Sequence, residues 1–364
     1  MNARNPQTTV NTVGADADPA TADAQAQAAR RQYYERIGQD SMTPLWEVLG
    51  ALVPHKPKSP AVPHVWHYAD VRASVMEAGT LISAAEAERR VLILENPALR
   101  GQSCITQALY AGLQLIMPGE IAPAHRHSQS ALRLVIDGEG AYTSVDGERT
   151  TMRRGDFIIT PAWTWHDHGN LGNEPVVWLD GLDIPIVRFL DAGFAEKSDV
   201  AYQSELRPEG DALARYGSNM VPVDFYQEPA EPTKVFVYPY ERTVASLRSI
   251  ASGEPDPHFG HKLRYVNPAT GRSPMPTMAA FSQLLPAGFE TRPYRCTDGT
   301  VYVCLEGGGE IVIEGVSRHL SRNDVVVVPS WHEHHFKVAE ETILFSYSDR
   351  PVQQALGLWR EHRG

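Results

Sequence analysis

Residues 118–140, PGEIAPAHRHSQSALRLVIDGEG, and residues 155–170, GDFIITPAWTWHDHGN, contain three histidines that can meet at one point. His125 and His127 lie two residues apart in a segment typical of a β-strand, so both imidazoles face the same side of it. His166 follows a second segment that also reads as a strand. A neighbouring strand would then bring the third imidazole to the first two. The pattern predicts a metal site inside a β-barrel.

The spacing of these segments resembles the paired motifs of the cupin superfamily. That pattern has a glycine, five residues and His-x-His, followed by a glycine, five residues, a proline, a histidine and an asparagine. The matching positions are Gly119, His125, His127, Gly155, Pro161, His166 and Asn170. The resemblance implies an all-β fold, the double-stranded β-helix or jelly roll. The alternative is that the three histidines only satisfy structural hydrogen bonds, but buried histidines normally occur singly.

The glutamate that usually follows the second histidine of the cupin motif is missing, because Ala131 and Leu132 occupy that stretch. Three neutral imidazoles carry no charge that would offset a divalent ion. The site therefore keeps its positive charge and about three open coordination positions. Such a site suits a dianionic, bidentate substrate together with a small ligand such as dioxygen.

Composition bounds the function further. The 364 residues, 42% of them hydrophobic and 21% charged, suffice for one large domain or two moderate ones. The net charge of −11 argues against nucleic acid or an anionic membrane surface as a partner. No spanning segment, signal peptide or disulfide framework is evident, since Cys104, Cys296 and Cys304 are irregularly spaced. We expect a soluble cytoplasmic protein.

The second half of the chain repeats the first. PAGFETRPYRCTDGTVYVCLEGGGEIVIEG at 286–315 and SRNDVVVVPSWHEHH at 321–335 align with the two motif segments, which predicts a duplicated cupin, or bicupin. Tyr294 and Cys296 replace the His-x-His pair, and His334 alone remains. We expect this barrel to bind no catalytic metal and to pack against the first barrel and extend an oligomer interface. A Tyr/Cys/His metal site is the alternative.

The remaining segments complete the predicted organisation. The first residues have almost no large apolar side chain and cannot offset their ordering entropy. The proline-rich stretch 54–66 should run extended across a surface, which another subunit could provide, and a helix is expected near Ser83–Arg90. The predicted divisions are 1–29, a disordered tail; 30–90, an N-terminal helical and extended segment; 91–185, the N-terminal cupin barrel with the metal site; 186–275, an inter-barrel connection; 276–350, the C-terminal cupin barrel; and 351–364, a C-terminal helix.

Several stretches together resemble one cupin family, the gentisate 1,2-dioxygenases, over nearly the whole chain from about residue 30. They are LWEVLG, PKSPAVPHVW, ERRVLILENPAL, HRHSQSALRLVIDGEG and WLDGLDIP. Near relatives cleave salicylate or 1-hydroxy-2-naphthoate. The resemblance implies an Fe(II) cofactor held by His125, His127 and His166, a homotetramer, and ring cleavage by dioxygen between the carboxyl- and hydroxyl-bearing carbons. For gentisate the product would be maleylpyruvate.

Two arginines are expected to hold the substrate carboxylate. Arg133 shares the strand parity of His127 and should face the metal cavity, although a solvent-facing arginine is the alternative. The family uses an arginine at the position of Arg89 or Arg90. Arg89 is the better match, and Arg90 should pair with an acidic neighbour or face water.

Five further residues are candidates for the same cavity. His168 can hydrogen-bond the substrate oxygen or dioxygen and shuttle a proton, or can simply support the ligands. Gln129 can orient a ligand or water, or pack at the cavity edge. Asp180 can steer His168 or the 5-hydroxyl of gentisate, or pair with a core arginine. Tyr110 can bind a polar ring substituent, while Gly112 makes room; salicylate-cleaving relatives carry tryptophan at the Tyr110 position.

Two other functions remain open at this stage. Cupins also serve as metal-dependent isomerases or other dioxygenases, and imidazole ligands tolerate Zn, Mn, Ni or Cu. The second alternative is a non-catalytic binding or storage protein, because a duplicated cupin fold is also compatible with a purely structural role.

Overall fold

The computed structural model of the chain describes residues 19–218 and 235–364. The described residues up to Lys56 belong to a compact unit of their own, which contains helices α1, Pro19–Gln39, and α2, Leu45–Leu52. Tyr34 joins the two helices, since its hydroxyl donates to Glu47 at 2.6 Å and accepts from the Trp46 indole at 2.8 Å.

The predicted disordered tail, 1–29, needs correction over its second part. Residues 1–18 lie outside the described residues, whereas Pro19–Gln39 is one helix. The prediction used the lack of large apolar side chains, but the segment is rich in alanine and glutamine, which have high helix propensity.

The second unit, Pro57–Gly364, contains both barrels. It begins with a short strand, β1, His64–Trp66. Its helices are α3, Tyr68–Leu81; α4, Ala84–Ala87; α5, Ile184–Phe189; α6, Asp211–Tyr216; α7, Tyr240–Ile250; and α8, Arg350–Ala355. A 3₁₀ turn covers Pro97–Leu99. Among the described residues, no helix is both long and apolar enough to cross a membrane.

The first barrel is a pair of antiparallel sheets. Its strands are β2, Arg90–Ile93; β3, Tyr110–Ile116; β4, Ile121–His127; β5, Ala131–Asp137; β6, Ala141–Val145; β7, Glu148–Thr151; β8, Phe157–Thr160; β9, His166–Asn170; β10, Val176–Leu182; β11, Ala195–Lys197; and β12, Val237–Tyr238. One sheet has the order β12-β8-β5-β10-β3-β2, and the other has the order β11-β4-β9-β6-β7. This is the jelly roll that the sequence predicted.

The second barrel repeats this arrangement. Its strands are β13, His261–Arg264; β14, Ala279–Leu285; β15, Tyr294–Cys296; β16, Thr300–Glu306; β17, Gly309–Ile313; β18, Val316–Leu320; β19, Val325–Val328; β20, His334–Lys337; β21, Thr342–Ser348; and β22, Glu361–Arg363. The sheet orders are β1-β19-β16-β21-β14-β13 and β18-β17-β20-β15-β22. The predicted bicupin is confirmed.

The two barrels share one hydrophobic core. Strands β8 and β19 read FIIT and VVVV because both of their faces are buried. Phe157 of the first barrel packs on Phe345 of the second, with ring centroids 5.3 Å apart. Leucines and valines from both barrels surround this contact and are almost inaccessible, and they are Leu132, Leu134, Leu179, Val301, Val303 and Val327. Burying an aliphatic side chain contributes about 1.5–3 kcal/mol, so the shared core holds the barrels firmly together.

Each barrel receives an edge strand from the chain segment that precedes the other barrel. Strand β1, which precedes the first barrel, pairs with β19 of the second, and β12, which precedes the second, pairs with β8 of the first. The residues that follow are held alike: the amide of Tyr68 donates to Asp324 and the amide of Tyr240 donates to Asp156, both at 2.8 Å. The proline-rich stretch therefore ends on the second barrel of its own chain.

One helix, α3, was not predicted, and three predicted segments differ from the observed ones. The helix expected near Ser83–Arg90 is only the four residues of α4, capped by Ser83. The connection 186–275 is more than a linker, because it contains β11, β12 and β13. The C-terminal helix expected at 351–364 ends at Ala355, since Gly357 is left-handed (φ +71°) and the last residues form β22 against β15.

Candidate metal centre

Three imidazoles converge inside the first barrel. Strand β4 carries His125 and His127, and β9 carries His166 directly opposite His125. The rings of this cross-strand pair have centroids 4.0 Å apart. Donor nitrogens of all three residues lie within 4.8 Å of one another. Neighbouring strands thus bring the predicted cluster together, and a three-histidine metal site is present.

The backbone fixes which nitrogen two of the imidazoles offer. The Nδ1 atoms of His127 and His166 donate to the carbonyls of Gln129 and Thr164, each at 2.8 Å, whereas Nδ1 of His125 lies 3.2 Å from the carbonyl of Pro123 and also contacts the Arg89 guanidinium. A proton on Nδ1 leaves the Nε2 lone pair free for a metal ion. Nε2 of His166 is buried with no hydrogen-bond partner among the described residues, which is a costly arrangement unless a ligand completes it. The residues therefore fit a metal ion.

The surroundings keep these imidazoles neutral. Burial lowers the pKa of His125 to about 2 and that of His127 to about 4, and it holds the pKa of His166 well below its ordinary value. The positive charges of Arg89 and Arg133 add to the effect. Neutral imidazole is the form that binds metal, so the site needs no proton release near pH 7.

A strained turn before β9 positions the third histidine. Trp163 adopts a left-handed φ of +60°, which is rare for a large side chain, and its amide donates to the His127 carbonyl at 2.8 Å. The Arg126 guanidinium lies over the rings of Trp163 and Trp165, 4.5 and 4.7 Å from their centroids. Arg126 sits between the two histidines of β4, so these contacts tie the first pair of ligands to the turn that leads to His166.

Arg89 and Arg90 point to different places. Arg90 pairs with Glu120 through two hydrogen bonds, of 2.6 and 3.0 Å, as expected for the arginine that does not reach the cavity. Arg89 instead contacts Nδ1 of His125 and donates to the carbonyl of Pro123 at 3.0 Å. Its Nε is buried without a partner among the described residues. Arg89 is therefore the arginine beside the metal site.

Arg133 is buried, not solvent-facing, and is held by two side chains. Its Nη1 donates to the Thr160 hydroxyl at 2.6 Å, and its Nε lies 3.6 Å from Asp180 on the adjacent strand. Asp180 also accepts a 3.0 Å hydrogen bond from the Trp178 indole. Burial raises the pKa of Asp180 to about 6, and Arg133 opposes that rise. The ion pair with a core arginine, which was the alternative for Asp180, is what the structure contains.

Tyr110 and Gly112 share the face of β3 that adjoins this pair, since Gly112 lies opposite Asp180 in the sheet. A Cβ atom on Gly112 would lie 2.5 Å from Val91 Cγ1 and 2.9 Å from the Tyr110 hydroxyl oxygen. Any side chain there would displace the tyrosine. Glycine thus allows the phenol to reach into the space beside Arg133 and Asp180.

His168 and Gln129 occupy different depths of the site. The His168 ring is fully buried, its Nδ1 lies 2.9 Å from the Thr143 hydroxyl, and its Nε2 has no partner among the described residues. Burial and the nearby Arg133 hold the pKa of His168 well below its ordinary value. Gln129 is only half-buried and lies against Gly193 at the rim. The structure contains no hydrogen bond between His168 and Asp180 in the described part of the chain.

The second barrel has different chemistry at the same places. Tyr294 lies opposite His334 in the sheet, as His125 lies opposite His166 in the first barrel. Tyr302, at the position of Arg133, donates its hydroxyl to Nε2 of His334 at 3.0 Å. The one remaining histidine therefore has its free nitrogen occupied, which supports the expectation of a barrel without catalytic metal.

Three residues that orient the site were not predicted. They are Thr160, Trp178 and Thr143, which hold Arg133, Asp180 and His168 respectively. Trp178 and Asp180 share a strand face through their spacing of two, so the link between them was accessible from the sequence. Thr160 and Thr143 lie on other strands, and only the sheet register brings them to their partners.

Comparison with known proteins agrees with this geometry. The family model described as a cupin domain matches residues 112–182. Gentisate 1,2-dioxygenase 1 of Aquipseudomonas alcaligenes is 52% identical over 92% of this chain and 96% of its own length. The chain belongs to the gentisate 1,2-dioxygenase family. It is a dioxygenase, as the sequence predicted.

Two further relatives are also 1,2-dioxygenases. The 1-hydroxy-2-naphthoate 1,2-dioxygenase of Nocardioides sp. strain KP7 is 33% identical over 84% of this chain and 80% of its own. The crystal structure of salicylate 1,2-dioxygenase from Pseudoaminobacter salicylatoxidans with gentisate adducts matches with a TM-score of 0.87 at 33% identity. The match covers 98% of this chain and 97% of the chain in the crystal structure.

Proposed function

We propose that the protein uses Fe(II) and dioxygen to cleave gentisate between the carboxyl-bearing and hydroxyl-bearing ring carbons, giving maleylpyruvate. The observation that carries this proposal is the set of three neutral imidazoles with Arg89, Arg133 and Tyr110 beside them. The family membership and the gentisate adduct of the salicylate-cleaving relative support the choice of substrate.

His125, His127 and His166 would hold the iron, and His127 and His166 would do so through Nε2. Bound Fe(II) would supply open positions for substrate and dioxygen and the electron exchange between them. Three ligands without a carboxylate leave the ion's charge uncompensated, which favours a dianionic substrate. The protein's own side chains would bind the substrate, orient it and select among ring substituents.

Arg133 and Arg89 would bind the substrate carboxylate. Arg133 is fixed in place by Thr160 and Asp180, and a guanidinium that is already oriented loses little entropy on binding an anion. Arg89 has a buried Nε with no partner in the described part of the chain. A carboxylate would satisfy it, so binding should be tighter for ring substrates that carry this group.

His168 would donate a hydrogen bond from Nε2 to an oxygen of the reacting substrate or of dioxygen, because its low pKa keeps the imidazole neutral. The Thr143 hydroxyl lies 2.9 Å from Nδ1 of His168 and 3.2 Å from the sulfur of Met152. An imidazole nitrogen accepts hydrogen bonds better than a thioether does, so the hydroxyl should donate to Nδ1. The ring proton then lies on Nε2, and Gln129 at the rim would orient a water or the substrate.

Tyr110 would select the substrate through its ring substituents. Its phenol lies in space that Gly112 leaves open, and its hydroxyl can bind the 5-hydroxyl of gentisate, with Asp180 close by. Burial, with a contribution from Asp180, raises the pKa of Tyr110, which keeps the hydroxyl a donor at neutral pH. Salicylate lacks the 5-hydroxyl and should bind more weakly.

We also propose a homotetramer in the cytoplasm. Three neighbouring side chains of α2, Leu45, Trp46 and Leu49, are largely exposed within their own unit and form an apolar face that suits subunit contact. The three cysteines are free and buried, which suits a reducing compartment.

Oxygen uptake tests the proposal. The protein is reconstituted anaerobically with Fe(II), and oxygen consumption is measured after addition of gentisate, salicylate or 1-hydroxy-2-naphthoate, with Zn(II)-loaded protein as control. We expect rapid uptake with gentisate, slower uptake with the others, and none with Zn(II). Equal rates for salicylate would move the assignment to the salicylate-type enzymes. No uptake with any substrate would leave a metal-binding bicupin of another function.

A further inference from the structure

A tyrosine of the second barrel contacts the strand of the first barrel that carries Tyr110 and Gly112. Tyr347 lies on β21, on the face that packs against the first barrel, and its side chain is fully buried. Its hydroxyl donates to the backbone carbonyl of Tyr110 at 2.8 Å. Tyr110 begins the strand that also carries Gly112, so this hydrogen bond joins the metal-poor barrel to the residue that we expect to meet the substrate ring.

The first barrel leaves room for this side chain. A Cβ atom on Gly181 would lie 2.8 Å from Cζ and 2.9 Å from Cε2 of Tyr347, so no larger residue fits there without a shift. Gly181 lies opposite Ala111, and Tyr347 lies opposite Ala280 at the same place in the repeat. Equivalent positions of the two barrels thus hold a glycine and a tyrosine. The interface between the barrels is therefore asymmetric at this point.

The hydrogen bond acts on the orientation of the Tyr110 ring. A peptide unit is planar, so holding the carbonyl of Tyr110 restricts the backbone from which its side chain leaves the strand. Gly112 provides no Cβ to support the phenol from its other side. Burial and the nearby Tyr110 and Asp180 keep the pKa of Tyr347 well above its ordinary value, so its hydroxyl stays protonated and donates.

We infer that Tyr347 is a positioning residue for substrate selectivity: through the carbonyl of Tyr110, the second barrel holds the phenol that reads the ring substituent of the substrate. The inference rests on the proposed function, because it assigns to Tyr110 the recognition of the gentisate 5-hydroxyl. It gives the metal-poor barrel a part in the reaction that packing alone would not.

The test compares Tyr347→Phe with Tyr302→Phe. Each variant removes one buried tyrosine hydroxyl of the second barrel, but only Tyr347 bonds to the cavity strand. The measured quantity is the inhibition constant of salicylate divided by the KM for gentisate, together with the melting temperature. We expect Tyr347→Phe to lower this ratio about threefold to tenfold, which is the worth of one hydrogen bond, and Tyr302→Phe to leave it unchanged.

A double-mutant cycle separates positioning from general loosening. In a Tyr110→Phe background the hydroxyl that reads the ring is absent, so Tyr347→Phe should cause no further change in the ratio. The inference is overturned if Tyr347→Phe leaves the ratio unchanged, if Tyr302→Phe lowers it equally, or if the effect persists in Tyr110→Phe. A wild-type protein that does not consume gentisate would overturn the proposed function and this inference together, whereas normal turnover with an unchanged ratio removes only Tyr347.

Discussion

The two barrels have the same strands in the same order, yet within residues 19–218 and 235–364 only the first offers a cluster of free metal ligands. In the first, Nε2 of His166 has no partner among the described residues, whereas in the second Tyr302 donates to Nε2 of His334. In the second barrel Phe281 occupies the position equivalent to Gly112, since Gly112 lies opposite Asp180 and Phe281 lies opposite Ser346. The comparison shows how a metal site of this fold can be lost while the strands stay the same. A hydrogen bond from Tyr302 occupies the histidine nitrogen, and the Phe281 side chain fills the space that Gly112 leaves open in the first barrel.

The largest expected difference between the barrels concerns the one histidine position that both retain, His166 in the first and His334 in the second. His166→Ala should abolish iron binding and lower turnover by more than about 10³-fold, equivalent to about 4 kcal/mol, because one of three ligands is lost. His334→Ala should leave both unchanged. Iron content by elemental analysis and gentisate-dependent oxygen uptake check the pair. Full iron occupancy in His166→Ala would refute the ligand assignment.

The next difference concerns the position of Arg133, which Tyr302 occupies in the second barrel. Arg133→Lys keeps the charge beside Asp180 but loses the planar fork, so KM for gentisate should rise about tenfold to a hundredfold with kcat less affected. Steady-state kinetics at fixed iron content measure this split. The control is Arg90→Lys, whose arginine pairs with Glu120. Equal effects in the two variants would remove Arg133 from substrate binding.

Gly112 and Phe281 occupy equivalent positions, so one substitution can fill space in the first barrel and another can create space in the second. Gly112→Ala places a methyl group against Val91 and Tyr110, so KM for gentisate should rise about tenfold while iron binding persists, since overpacking costs about 1–3 kcal/mol. Phe281→Ala should instead lower stability by about 3–5 kcal/mol and leave KM unchanged. Kinetics and denaturant unfolding distinguish the two results. A KM change in Phe281→Ala would mean that the second cavity influences catalysis.

The smallest expected difference between the barrels arises where they are alike. Asp183 accepts from the amide of Ser130 at 2.9 Å, and Asp349 accepts from that of Gly299 at 2.8 Å. Burial raises both pKa values from 3.8 to about 6. The folded state therefore binds more protons than the unfolded state between these values, and its stability falls as pH rises through that window.

Replacement of either aspartate by asparagine removes this penalty. Asp183→Asn and Asp349→Asn should each stabilise the protein at pH 7.5 by about 1–3 kcal/mol, and by much less near pH 4. Unfolding in urea at the two pH values measures the difference. Equal gains at both pH values would show that ionisation of the carboxylate is not the cause.

Much of the site followed from strand parity, because a period of two is preserved in any sheet. Parity brought His125 and His127 to one face, and the motif spacing brought His166 to them. The contacts of Asp180 and His168 were harder to predict, since their partners Arg133 and Thr143 lie on other strands. Which of several possible neighbours a polar side chain meets depends on register, and register is set by the packing of the whole sheet.

The fold was predicted at the level of the repeat and missed at its edges. The duplicated glycine and Pro-x-Trp positions identified two barrels, but nothing local to His64–Trp66 indicates that its partner strand begins at Val325. Pairings across such long sequence separations leave no periodic signal in the chain. Helix α3 was missed for a different reason, because its buried face contains only Tyr68 and Val75 and gives a weak apolar pattern.

The exchange of edge strands has a consequence for dividing the chain. Strand β1 completes the second barrel and β12 completes the first, with Asp324 and Asp156 receiving the following amides in the same way. Neither half of the chain therefore contains all the strands of its own barrel. Expressed separately, each half would leave the backbone groups along one sheet edge unpaired, and such an edge promotes association with other chains.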